Sequence, residues 1–165
     1  MQLAMKHDLT VLLAAIVLGA APGLTQAQPK PAPSPAVDDS EVDPPVTALD
    51  LEVIARARQL LNSPTVWNRN DTRQCPKPIT RYSLYCAIEI ATLEVEGTFA
   101  HRGAAMQQAR FVVDEVTAKR DYRHRLKDYN NDPTTTFSDM THIFDLTEAR
   151  IRAKLATQGS PPKQP

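Results

Sequence analysis

The stretch DYNNDPTTTFSD, Asp128 to Asp139, carries acids or amides at its first, third, fifth and last positions: Asp128, Asn130, Asp132 and Asp139. That is close to the oxygen-ligand spacing of a calcium loop between two helices. Such a loop turns through a glycine at its sixth position, where φ is positive. Here the sixth residue is Pro133, whose ring fixes φ at about −65°. The closing ligand is Asp139 rather than a longer, bidentate glutamate, and Thr135 stands where an apolar residue normally holds the loop to a partner. A turn between helices accounts for every position. Asn130, Asn131 and Asp132 end one helix, Pro133 stiffens the turn, and Thr136 caps the next helix with Asp139 closing a capping box. The turn is the favoured reading. A weak cation site at Asp128, Asn130, Asp132 and Asp139 is the alternative.

Beyond the leader the chain has His101, His124 and His142. His142 has Asp139 three residues before it and Asp145 three after; His124 has Asp121 three before and Asp128 four after. At helical spacing these pairs can touch, so a small metal-dependent hydrolase using His124, His142 and the Asp128–Asp139 loop is conceivable. Ordinary charged helix faces contain the same pairs. The chain has no H-E-x-x-H, no G-x-S-x-G and no glycine-rich phosphate cradle. Its residues point to no cofactor and to no catalytic group.

Cys75 and Cys86 are the only cysteines. Their spacing is not the C-x-x-C of redox pairs or zinc sites. In an oxidising compartment they are expected to form one disulfide that pins the loop after Trp67 to the following helix. By chain-entropy arguments a loop of this size is worth about 3 kcal/mol. A thiol dyad with His101 would need the sulfurs to stay reduced. One charge run stands out, KRDYRHRLK, with Lys119, Arg120, Arg123, Arg125 and Lys127. It could dock an acidic protein or an anionic polymer. The plainer reading, favoured here, pairs it with Asp114, Glu115, Asp121 and Asp128 on a solvated helix face.

Four segments have the period needed to position these groups. TALDLEVIARARQLLN opens with Thr47 and Asp50 in capping-box register and ends before Pro64. SLYCAIEIATLEVEG is the most apolar segment, hence the central one, and stops at Gly97. The third runs from about Gly103 to His124, with a kink or break expected near Lys119. The fourth is FSDMTHIFDLTEARIRAKLATQG. No stretch alternates with a period of two. The expected class is all-α, a four- to five-helix bundle.

CAIEIA (Cys86 to Ala91) and HRLKDYNNDPTTTFSDM (His124 to Met140) together resemble a small all-helical bacterial family of unknown function. Its members pair a Cys-Ala-rich central helix with a late N-D-x-P-x-T-x-x-D helix start. The likeness covers most of Ala48 to Leu155 and implies the helical fold. It brings no assigned activity and no catalytic residues.

Ahead of the bundle, Lys6 precedes the apolar run Leu9 to Ala21, and Thr25 and Ala27 supply small residues. This is the layout of a secretory signal peptide, and the run is shorter than the roughly 20 residues that span a bilayer. Cleavage near Ala27 would leave a periplasmic or secreted protein with no membrane attachment. Residues 28–46, with prolines at 29, 31, 33, 35, 44 and 45, read as an extended tether. The expected division is signal peptide 1–27, linker 28–46, helical domain 47–158 and tail 159–165. The chain has 19 basic and 19 acidic residues, a balance that argues against a generic nucleic-acid binder. The sequence therefore favours a non-catalytic binding or inhibitor-like module of the bacterial envelope with a protein partner. A structural envelope component is a further alternative.

Overall fold

A computed structural model describes residues 42–118 and 120–159. The apolar leader, the proline-rich stretch up to residue 41, Lys119 and the tail from residue 160 lie outside the described residues. Among the described residues the elements are α1 (Ala48–Leu60), a 3-10 turn (Pro64–Val66), α2 (Leu84–Glu96), α3 (Ala104–Val116), α4 (Arg125–Asn131) and α5 (Phe137–Gln158). Among the described residues there is no strand, only an isolated bridge between Trp67 and Tyr82. The class is all-α, as the periodicity implied. The third segment is helical over less than its expected length: α3 stops at Val116, Ala118 takes a positive φ of 52° just beyond it, and the next helix, α4, starts only at Arg125, past the expected end at His124.

Local chemistry sets the boundaries. Asp50 Oδ2 accepts from Thr47 N at 2.7 Å and Thr47 Oγ1 at 3.1 Å, closing the start of α1. Ser83 Oγ accepts from Cys86 N at 3.1 Å at the start of α2, and Gly97 ends that helix with φ 76°, a left-handed cap that favours glycine. Thr136 and Asp139 close the start of α5 in the same way as Thr47 and Asp50. α3 begins at Gly103, which has no side chain to offer. Asp50 takes its place from across the bundle, Oδ1 accepting from Ala105 N at 2.7 Å. One buried carboxylate thus caps two helices, and each positive helix end favours its charge.

α2 packs on α1, α3 and α4, while α5 packs on α1 and α3. The first two turns of α2 are buried on nearly all sides, Leu84 to Ile88 and Ile90 to Thr92. Ile54, Leu84, Ile88, Met106, Phe144 and Ile151 are among the fully enclosed side chains, each worth about 1.5–3 kcal/mol in apolar burial. The packed unit starts before α1: Val46 is buried, and Asp43 accepts from Gln108 Nε2 at 2.8 Å and Lys154 Nζ at 2.5 Å. Among the described residues no helix is long and apolar enough to cross a membrane.

Candidate functional site

The polar groups concentrate where the loop between α1 and α2 meets α4. Cys75 and Cys86 form a disulfide, S–S 2.08 Å, so the loop is pinned to α2 as expected of the chain's two cysteines. A short ladder closes the same loop at its base: Asn68 N donates to Tyr82 O at 2.9 Å and Tyr82 N to Val66 O at 2.7 Å. Arg81 Nη2 donates to Trp67 O at 2.6 Å. Trp67 itself is buried against Phe137, with ring centroids 6.1 Å apart, and the Arg69 guanidinium lies over its indole at 4.8 Å.

Asn130 is fully buried at the centre of this junction. Its Oδ1 accepts from Trp67 Nε1 at 2.9 Å and from Leu84 N at 3.0 Å. Its Nδ2 donates to Asn68 O at 2.9 Å and Asn131 Oδ1 at 3.0 Å. All four hydrogen-bonding positions of the amide are therefore used. The group that a calcium loop would turn toward a cation here joins α4 to the loop and to the first turn of α2.

The other oxygen-bearing residues of the 128–139 stretch go in different directions. Asp128 Oδ2 accepts from His124 N at 2.7 Å, and its Oδ1 lies 3.1 Å from Lys127 Nζ. Asp132 Oδ1 accepts from Thr134 N at 2.9 Å and Thr134 Oγ1 at 2.6 Å. Its Oδ2 takes Tyr122 OH at 2.9 Å and Arg120 Nη1 at 2.8 Å. The Thr134 bonds, with Tyr122 after them, hold the Asp132 carboxyl down to about 2. Asp139 is held below the usual carboxylate range by the Thr136 backbone and side chain. Among the described residues no three His, Cys, Asp or Glu side chains gather where they could hold a metal ion.

His142 is exposed on α5. His124 is half-buried before α4, and its pKa is pushed down by burial first and then by Arg73, against the opposing pull of Asp128. His101 belongs to a third place, a ring cluster with Tyr85 and Phe99 at centroid distances of 6.0 and 6.4 Å. Arg110 Nη2 lies 2.9 Å from His101 Nε2 and 3.5 Å from its Nδ1, and Nδ1 is 3.4 Å from Tyr85 OH. Burial, then Glu89, raises the Tyr85 phenol to about 12, so it stays protonated and a donor.

Of the KRDYRHRLK cations, Lys119 lies outside the described residues. Arg120 reaches Asp132 at 2.8 Å, Arg125 reaches Asp114 at 3.1 Å and Lys127 reaches Asp128 at 3.1 Å. Arg123 is exposed and has no carboxylate partner among the described residues.

Sequence reasoning missed Asp71. It is buried, and Asn131 clasps its backbone: Asp71 N donates to Asn131 Oδ1 at 2.7 Å, and Asn131 Nδ2 donates to Asp71 O at 2.9 Å. Asp71 Oδ1 accepts from Arg73 N at 2.6 Å, which fixes Arg73 in the left-handed region at φ 59°. Asp71 Oδ2 is buried and completes no hydrogen bond. Burial raises the pKa of this carboxyl; the Arg73 backbone and the nearby Ser83 hydroxyl favour its charge without outweighing that. The N-D-T sequence at Asn70 to Thr72 signals a turn, but nothing in it marks the acid as interior.

No curated protein and no solved structure is detectably similar to the chain. A family model does match, over residues 45–150, a span that includes the disulfide, the Asn130 junction and most of α5. On that match the chain belongs to a family of unknown function, DUF6197.

Proposed function

We propose that this chain is an exported, non-catalytic binding or inhibitor-like module of the bacterial envelope, carried behind a cleaved signal peptide on a proline-rich tether. The observation that carries the reading is what the chemistry-bearing side chains are used for. Both thiols are spent in one disulfide, Asn130 is saturated by four structural bonds, and Asp50 and Asp139 close helix starts. Such a site is a rigid scaffold, and rigidity lowers the ordering cost of binding a partner. The disulfide suits an oxidising compartment, and the apolar leader suits export.

The test is affinity capture from a periplasmic extract, using the oxidised chain beside a reduced and alkylated control. A protein retained reproducibly by the oxidised form and lost with the control supports the reading. Retention of neither a protein nor an anionic polymer by either form contradicts it.

A further inference from the structure

The ion pairs are unevenly placed. On the helices, Arg56 holds Glu94 at 2.5 Å, Arg58 holds Asp145 at 2.6 Å and Arg152 holds Glu148 at 2.7 Å. Arg150 holds Glu115, and Lys154 holds Asp43 at 2.5 Å. The disulfide loop is different. Arg69, Arg73, Lys77 and Arg81 are all exposed, and none has a carboxylate partner among the described residues. The loop's one acid, Asp71, faces inward. Arg123, likewise exposed and without a carboxylate partner among the described residues, lies just before α4.

Arg69, Arg73, Arg81 and Arg123 are placed around α4 and the base of the loop, and Lys77 lies in the same loop between Cys75 and Cys86. The clasp between Asp71 and Asn131 sets the loop on the end of α4. Lys127 and Asn131, four positions apart, stand on one side of that short helix, and His124 is its N-cap residue. Arg73, Lys127 and Arg123 all act on His124 in the same direction. The charges are also held in place. Arg69 Nη2 donates to the carbonyls of Asp132, Pro133 and Thr135 at 3.2, 3.2 and 3.0 Å. Arg81 is tied to Trp67 O, and the disulfide fixes the loop between them.

The surface lacks an apolar centre. The exposed large hydrophobics among the described residues are Val42, Leu49 and Val116, none of them in the loop or α4. A stable protein interface is built around desolvated apolar and aromatic groups, and a membrane-seated face inserts apolar side chains. Guanidinium forks without such a centre match phosphate oxygens, which they can engage in pairs. We propose that the disulfide loop and the segment just before α4 form a docking surface for a linear phosphate polyanion, engaged by Arg69, Arg73, Lys77, Arg81 and Arg123. This names a partner class for the binding module and rests on that reading.

The experiment titrates inorganic polyphosphate into the oxidised full chain by calorimetry, at about 50 and about 200 mM salt. With five cations engaged, affinity should fall roughly 100- to 500-fold between the two. The triple substitution Arg73→Gln, Lys77→Gln, Arg123→Gln should weaken binding at low salt at least about 10-fold and flatten the salt dependence. The substitutions Arg56→Gln, Arg152→Gln and Lys154→Gln remove the same charge from paired positions and should change affinity less than about 2-fold. The proposal is overturned by no binding at low salt, or by equal losses in the two triple variants. Tighter binding to polyglutamate would point to an acidic protein instead, and tighter binding to phosphatidylglycerol vesicles to a membrane; either overturns it. If polyphosphate is ignored while an envelope protein is still captured, this inference falls and the binding-module reading stands. Failure of both assays removes both.

Discussion

Asn130 is the residue on which the junction turns. Its amide satisfies two buried donors, Trp67 Nε1–H and Leu84 N–H, and one loop carbonyl, Asn68 O. Each buried group left unpaired costs about 1–3 kcal/mol. Asn130→Ala should therefore cost about 3–5 kcal/mol in urea unfolding, and a loss below about 1 kcal/mol would show that the junction does not hold the fold. Asp71 should behave in the opposite sense. Its pKa is raised in the folded state by burial, so its favourable contribution is complete below the ordinary carboxylate pKa and is lost as pH rises through the folded value. Asp71→Asn keeps the acceptor for Arg73 N and removes the buried charge. The variant should be more stable than the parent at pH 7, with the gain shrinking as pH falls toward 4. Urea midpoints at the two pH values measure this, and a constant difference, or a loss at pH 7, contradicts it. Neither role was legible in the sequence. Asn130 reads as a helix-ending amide, and its partners Trp67 and Leu84 lie 63 and 46 positions away. Asp71 reads as a solvated turn acid because local spacing does not say which side of a loop faces the core.

At the scale of elements, capping chemistry was the most readable part. Thr47 with Asp50, Thr136 with Asp139, and Gly97 each mark a helix end where the structure has one. These signals are local, depending on groups within about one turn, so a short window of sequence contains them. A break near Lys119 was also legible, although α3 stops at Val116 rather than running on toward His124, and the short helix Arg125–Asn131 was not marked as an element of its own. What local reading could not supply was the second duty of Asp50. Its Oδ1 caps α3 through Ala105 N, 55 positions on, because Gly103 gives that helix no side-chain cap. Asp50→Ala removes a partner from both helix starts and should cost about 2–3 kcal/mol. Thr136→Ala, which affects one exposed cap, should cost about 1 kcal/mol. Equal effects in thermal or urea unfolding would mean that the bond between helices adds nothing.

For the molecule as a whole, the helices form a packed unit, and one covalent link fixes its longest described irregular segment, between Val66 and Leu84. That segment carries Arg69, Arg73, Lys77 and Arg81, and the buried Asp71 and Trp67 anchor it from inside. Breaking the link with Cys75→Ala and Cys86→Ala should lower stability by about 3 kcal/mol and loosen the loop while leaving the helices folded, which far-UV dichroism and amide exchange would report. The family match identifies the domain without giving it an activity. The functional reading therefore rests on chemistry: an oxidised sulfur pair removes the chain's two strongest nucleophiles and makes the loop a fixed surface. The most direct check is a thiol titration, in denaturant, of protein taken from its native location without added oxidant. The account predicts no titratable thiol before reduction and two after it. Two free thiols before reduction would contradict it, leaving the loop unpinned and the cysteines open to chemistry.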